Sequence, residues 1–135
     1  MNTILITGST GAIGKQILKS FANTEASFIL LVRNPKKILN QLSWANKDFL
    51  NRITIISGDL TAPKLGLSQN DYQIALNSDV IIHAGGTMDI QLDDLTAKNM
   101  FATGAESMIE LAKLIQQRQG LKHFIHIVGY MSPFN

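Results

Sequence analysis

Short apolar runs alternate along this chain with longer segments whose apolar residues recur at helical spacing. Runs of this kind, such as the one that stops at Asn34-Pro35, are typical of strands buried in a parallel sheet. The pattern predicts strands at residues 3–7, 28–32, 53–57, 80–83 and 124–128.

The spacing of apolar residues predicts four helices between these strands. The first follows the loop after strand 1, and the second carries Ile38, Leu39 and Leu42. The third begins at Ser68, whose spacing from Asp71 matches a capping box. The longest covers residues 95–119, and its spacing stacks five residues on one side: Phe101, Ala105, Met108, Ala112 and Ile115.

Alternating strands and helices predict an α/β fold with a doubly wound parallel sheet. The chain has 135 residues, of which 45% are hydrophobic and 16% charged, so residues 1–135 fit one domain with a sizeable core. Right-handed crossovers predict the strand order 3-2-1-4-5. That order reverses direction between strands 1 and 4, where sheets of this type bind ligands at the carboxyl ends of their strands.

A glycine-rich loop follows strand 1 and leads into the first helix. It reads Gly8-Ser9-Thr10-Gly11-Ala12-Ile13-Gly14. Backbone N–H groups and the positive end of a helix dipole make such a unit suitable for a diphosphate. A second segment, His83-Ala84-Gly85-Gly86, ends strand 4 and is expected to meet this loop. The two segments together predict a dinucleotide site.

A mononucleotide P-loop is the main alternative for a glycine-rich loop of this kind. It requires a glycine five residues before a Gly-Lys-Ser/Thr ending, but Ser9 stands at that position before Gly14-Lys15. Gln16 replaces the hydroxyl residue that would hold magnesium. The P-loop reading therefore fails at two positions.

Composition excludes several other classes of function. The formal charge is only +2 and the basic residues are scattered, so a nucleic-acid surface is not expected. Cysteine is absent, which excludes disulfides, Cys-ligated metal and thiol catalysis, and no metal site is predicted. The first apolar run breaks at Gly8 and has no basic segment before it, so we expect neither a signal peptide nor a membrane span. A cytoplasmic protein is the expectation.

The motif Thr7-Gly8-Ser9-Thr10-Gly11-Ala12-Ile13-Gly14 resembles the TGxTGxxG signature of extended and atypical short-chain dehydrogenase/reductases. The similarity is greatest to the male-sterility or thioester-reductase branch, and it extends to Leu31-Val32-Arg33, Gly58-Asp59-Leu60-Thr61 and Val80-Ile81-Ile82-His83-Ala84. Asn99 and Gly104 resemble residues of the family's following helix, where Asn99 is expected to be structural. The resemblance implies an NAD(P)-binding Rossmann domain of an oxidoreductase that acts on a carbonyl or acyl-thioester substrate.

The residue after strand 2 indicates the form of the cofactor. NAD-preferring domains carry an acidic residue there, which accepts the ribose 2′-hydroxyl. Arg33 takes its place here, with Lys36 and Lys37 close behind, and a guanidinium binds a 2′-phosphate bidentately. We therefore predict NADP(H) in preference to NAD(H), with Arg33 and Lys37 as contacts, whereas Lys36 reads as a solvated charge.

Asp59 has two interpretations. An Asp after Gly58 can simply cap the following turn. The family resemblance implies instead that its carboxylate accepts the exocyclic amine of adenine and that Leu60 packs on the ring. His83 ends a buried strand and is expected to be structural.

The catalytic residues of the family have no counterpart in this sequence. The family uses a Tyr and a Lys four residues apart, but Leu76 lies four residues after Tyr72 and Phe134 four after Tyr130. Val128-Gly129 occupies the usual place of the catalytic hydroxyl, and Ser132 lies beyond it. We predict no catalytic residue in this chain, and we expect the family's catalytic and substrate-binding part to follow Asn135.

Two functions fit these observations. The chain is either the NADP(H)-binding part of an oxidoreductase, inactive by itself, or a non-enzymatic NADP-binding sensor or interaction module. In either case strand 5 is expected at a sheet edge with no Pro, Lys or Glu to block pairing, so self-association through it is predicted.

Overall fold

Five parallel strands form the centre of the protein. The computed structural model describes residues 2–9, 12–84 and 94–127. Within them the sheet has the order β3-β2-β1-β4-β5, which confirms the predicted doubly wound fold. The strands are β1 (Thr3–Thr7), β2 (Ser27–Val32), β3 (Ile53–Ser57), β4 (Val80–His83) and β5 (His123–His126).

Helices connect the strands. They are α1 (Ala12–Ser20), α2 (Pro35–Gln41), α3 (Lys47–Asn51), α4 (Gln69–Ala75) and α5 (Asp94–Arg118), with a short 3-10 helix at Pro63–Gly66. The predicted cap of α4 is confirmed, because the Ser68 hydroxyl accepts a hydrogen bond from the Asp71 N–H at 3.1 Å. None of the helices that the structure describes combines the length and hydropathy of a membrane span.

Neither α3 nor the 3-10 helix was predicted from the sequence. With five residues, α3 is too short to show helical periodicity. It begins at Asn46, whose side chain accepts a hydrogen bond from the Phe49 N–H at 2.8 Å, and Phe49 is fully buried. A side-chain cap and a single aromatic anchor therefore hold this turn in place.

The core has two parts, one on each face of the sheet. Successive residues of a strand point to opposite faces, so Leu5 and Ile29 lie on one face and Ile4 and Phe28 on the other. The Leu5 face packs on α5, and the Ile4 face packs on the helices that follow β1 and β2. Burial on both faces explains the continuous apolar runs.

The buried face of α5 differs from the predicted one. Met108 and Ile115 are buried as expected, but Ala105 is exposed, and the side chain of Phe101 lies outside the described residues. Gly104 and Leu111 are buried instead. Gly104 lies on the packed face, and Ala105, about 100° further round the helix, therefore faces solvent. On α2, Leu39 is likewise exposed, whereas Ile38 and Leu42 are buried.

Candidate functional site

The carboxyl ends of the strands meet at one edge of the sheet, which we call the carboxyl edge. Thr7, the last residue of β1, pairs with Leu31 of β2 and with His83 of β4. The Ala84 N–H donates to the Thr7 carbonyl at 3.3 Å, so the segment after β4 begins beside the glycine-rich loop. The predicted meeting of the two segments is present up to Ala84, while Gly85 and Gly86 lie outside the described residues.

The glycine-rich loop leaves β1 through Gly8, which has φ +75° and so adopts a conformation that favours glycine. At Gly14 a Cβ would lie 2.0 Å from the Gly8 carbonyl oxygen, so only glycine lets the loop and helix approach this closely. Ala12 and Ile13 form the first turn of α1, and Thr10 and Gly11 lie outside the described residues.

Ser9 lies in this loop and is 1% exposed. Its hydroxyl has no hydrogen-bond partner among the described residues. A buried hydroxyl without a partner has a free-energy cost, which a ligand oxygen or amide can remove. The residues present therefore fit a phosphate-bearing ligand at this loop.

An ion pair links the ends of β2 and β3. The parallel register aligns Val32 with Ser57, so Arg33 and Asp59 leave the sheet side by side. An Arg33 Nη2 lies 3.4 Å from Asp59 Oδ2, and the two side chains are 76% and 40% exposed. The sequence showed both residues but not that they would pair. Lys37 is exposed on α2, one turn from Arg33.

Both interpretations of Asp59 concern the same carboxylate, and its two oxygens differ. Oδ1 caps the following turn, because it accepts hydrogen bonds from the Thr61 N–H at 2.9 Å and the Thr61 hydroxyl at 2.6 Å. Oδ2 faces Arg33. The Thr61 bonds, and then the charge of Arg33, hold the pKa of Asp59 below its ordinary value, so the carboxylate is ionised at neutral pH.

Helix α5 supports the loop that contains Leu60. A Cβ on Gly104 would lie 2.6 Å from the Leu60 carbonyl oxygen, so the helix backbone touches the loop. The Ser107 hydroxyl, which is buried, donates to the Ala62 carbonyl at 3.3 Å. Sequence reasoning did not find Ser107, although its position three residues after Gly104 places it on the same helix face.

His83 is buried at the end of β4. Its Nδ1 shares a hydrogen bond with the Thr7 hydroxyl at 2.7 Å, and its ring stacks on His126 with 4.8 Å between centroids. Burial, together with the nearby His126, lowers the pKa of His83 to about 4. The imidazole is therefore neutral at physiological pH and has fixed neighbours, which suits the structural role expected for it.

The residues considered for catalysis are not assembled into a site in the described part of the chain. Tyr72 lies on α4 and is half-buried, and burial, followed by the charge of Glu110, raises the pKa of its phenol. A raised pKa makes the phenol harder to ionise. Val128, Gly129, Tyr130 and Ser132 lie outside the described residues. The residues that the structure describes contain no group of three or more His, Cys, Asp or Glu side chains that could hold a metal ion.

A model of the male sterility protein family matches residues 6–134. Fatty acyl-CoA reductase 1 from Mus musculus is 31% identical over 92% of this chain, which covers 27% of that protein. Probable polyketide synthase 6 from Dictyostelium discoideum is 30% identical over 96% of this chain and is covered to 5%. The chain thus spans only a minor part of these relatives.

Solved structures show the same fold. The terminal R domain of the myxalamid PKS-NRPS pathway has a TM-score of 0.75 at 24% identity, over 98% of this chain and 38% of its own. Gre2 from Candida albicans, solved with NADPH, has a TM-score of 0.73 at 14% identity, over 93% and 36% of the two chains. The chain therefore has the fold of the myxalamid R domain, belongs to the male sterility protein family and is an NAD(P)-binding domain related to fatty acyl-CoA reductases.

Proposed function

We propose that this chain is the NADP(H)-binding domain of an oxidoreductase that acts on a carbonyl or acyl-thioester group. The names of its relatives support the substrate class, because a fatty acyl-CoA reductase acts on an acyl thioester. The cofactor, when bound, supplies or accepts the hydride. The residues of this chain bind and orient it.

From the arrangement at the carboxyl edge we assign each part of the cofactor to a group of residues. The glycine-rich loop, from Gly8 to Gly14, would hold the pyrophosphate, with the unpartnered Ser9 hydroxyl as an additional donor. Arg33, with Lys37 behind it, would bind the 2′-phosphate. Asp59 and Leu60 would border the adenine, and the segment that begins at Ala84 would face the other half of the cofactor.

The exposed guanidinium of Arg33 is the observation that carries the NADP preference. It follows β2, where NAD-preferring domains place a carboxylate, and its side chain is 76% exposed. A solvated guanidinium at this place in the fold would attract a 2′-phosphate, and its ion pair with Asp59 is long enough, at 3.4 Å, to be exchanged for a phosphate contact.

Titration of NADP and NAD against the wild type and two variants tests this preference. We expect the wild type to bind NADP roughly 10- to 100-fold more tightly than NAD, because a charge-assisted contact is worth about 1.5–3 kcal/mol. In Arg33→Ala the two affinities should converge through a loss of NADP affinity. Lys36→Ala is the matched control, since it removes the same charge from an exposed side chain three residues away and should keep the preference. Equal affinities in the wild type would contradict the proposal.

A further inference from the structure

The Asp59 carboxylate is held on one side only. Thr61 donates two hydrogen bonds, from its N–H and its hydroxyl, and both end on Oδ1. Oδ2 receives only the longer contact of 3.4 Å from Arg33 among the interactions of the described residues. The side chain is 40% exposed, so a ligand can reach the carboxylate from solvent, and Oδ1 is the oxygen that Thr61 already occupies.

Thr61 itself is fixed by the loop around it. The Asp59 N–H donates to the Leu65 carbonyl at 2.7 Å, and the Ala62 N–H donates to the Asp59 carbonyl at 3.0 Å. Helix α5 holds the same loop through the Ser107 hydroxyl. These bonds anchor the backbone on both sides of Thr61, so its N–H and hydroxyl approach the carboxylate from a fixed stretch of chain.

We propose that Thr61 is a positioning residue for the recognition of the adenine base. This inference rests on the proposed function. The terminal torsion of an Asp side chain is broad, so an unrestrained carboxylate presents either oxygen over a range of directions. The two bonds from Thr61 hold Oδ1 in the turn and direct Oδ2 outward as a charged acceptor for the amino group of the base. Thr61 acts through Asp59 and need not touch the ligand.

A pair of ligands that differ at the amino group tests this role. NADP carries the 6-amino group, and its hypoxanthine analogue carries a carbonyl oxygen there, which cannot donate to a carboxylate. We expect the wild type to bind NADP about tenfold more tightly than the analogue, as one charge-assisted hydrogen bond predicts. Thr61→Val keeps the shape and the N–H but loses the hydroxyl, and should reduce this ratio to about twofold or threefold with the analogue's affinity unchanged.

Two further variants separate positioning from a structural effect. Thr61→Ser restores the hydroxyl and should restore the wild-type ratio. In an Asp59→Asn background, Thr61→Val should no longer change the ratio, because the carboxylate through which Thr61 acts is gone. Thermal unfolding of each variant shows whether it is folded, and Thr61→Ala, which also lacks the hydroxyl, replaces Thr61→Val in the same comparison if Thr61→Val is not.

Three outcomes would overturn the inference without contradicting the proposed function. In the first, Thr61→Val weakens both ligands equally, as a merely structural residue would. In the second, the full preference persists in Thr61→Val. In the third, the wild type binds NADP without preferring it to the analogue, which leaves the proposed function standing. If the wild type binds neither dinucleotide, the proposed function itself is wrong and the inference is overturned with it.

Discussion

At the carboxyl edge, exposure to solvent keeps some side chains charged and burial keeps another neutral. Arg33 and Asp59 are exposed and charged, so their attraction is screened by water and they remain available to a ligand. His83 is buried against Thr7 and His126, where water cannot solvate an imidazolium. The carboxyl edge thus presents charge at the ends of β2 and β3 and a neutral ring at the end of β4, beside the glycine-rich loop.

The low pKa of His83 predicts a specific loss of stability in acid. The imidazole has a pKa of about 4 when folded and 6.5 ordinarily, so the unfolded chain binds the proton first as pH falls. The neutral imidazole contributes fully to the free energy of unfolding above pH 6.5. This contribution declines by about 3 kcal/mol between pH 6.5 and 4.

Urea unfolding of the wild type and His83→Asn at several pH values measures this effect. The wild type should lose more free energy of unfolding than the variant between pH 6.5 and 4. His123→Asn, an exposed histidine on β5, is the control and should follow the wild type. Parallel curves for the wild type and His83→Asn would refute the assignment.

At the scale of elements, α5 supports the loop that follows β3. Gly104 allows backbone contact with Leu60, and Ser107 fastens the same loop two residues further on. A long helix packed on the sheet is stiffer than a turn of irregular backbone, so the helix sets the position of the loop. Residues that never touch a ligand can therefore affect its binding.

Gly104→Ala should destabilise the protein although alanine is the better helix former. The gain in helix propensity is about 1 kcal/mol, but the new methyl group would lie 2.6 Å from the Leu60 carbonyl oxygen. Overpacking against backbone costs about 1–3 kcal/mol, so we expect a net loss of stability and weaker NADP binding. Thermal unfolding measures the loss of stability, and Ala102→Ser on the exposed face of α5 is the control. An equally or more stable Gly104→Ala would show that the contact relaxes freely.

At the scale of the whole molecule, the described part of the chain has one sheet, and β5 is one of its two edge strands. Phe124 and Ile125 on this strand are 37% and 47% exposed. A groove of about 430 Å³ between β5 and α5 is lined by Ile109, Ala112, Leu121 and Phe124 together with the polar residues Lys113, Gln116, Lys122 and His123. Unpaired backbone groups next to apolar side chains favour association with another chain.

The 135-residue polypeptide should therefore self-associate as its concentration rises. Sedimentation across a concentration series measures this, and Ile125→Lys should shift the protein toward monomer. Ile127 is less suitable for this change, because it packs against the core. Leu39→Lys on α2 makes the same substitution at a site 59% exposed and should leave association unchanged. A protein that stays monomeric throughout would contradict the prediction.

The same polypeptide should bind NADPH without oxidising it when an aldehyde or acyl-CoA is added. Its two tyrosines, Tyr72 and Tyr130, have no Lys four residues later, so the family's proton-transfer pair is missing. Absorbance of NADPH at fixed protein concentration measures turnover. Oxidation that depends on the added acceptor would show that Tyr130 or Ser132 performs the proton transfer.

By itself the sequence determined the strands, their order and the position of the glycine-rich loop. Buried parallel strands require continuous apolar runs, and right-handed crossovers then leave few possible orders. The predicted limits of β1 and β3 agree with the structure. Strand β5, however, begins one residue before its predicted start and ends two residues before its predicted end. Strand ends depend on pairing with a neighbour, which a local pattern does not contain.

Only the tertiary structure decided how the site is connected. The pairing of Arg33 with Asp59 depends on the β2–β3 register, and the contact of Ser107 with Ala62 depends on how α5 is rotated against the loop. The same rotation exposes Ala105 and buries Gly104. Each of these features depends on how segments far apart in the chain pack against one another. The periodicity of a single segment therefore does not predict them.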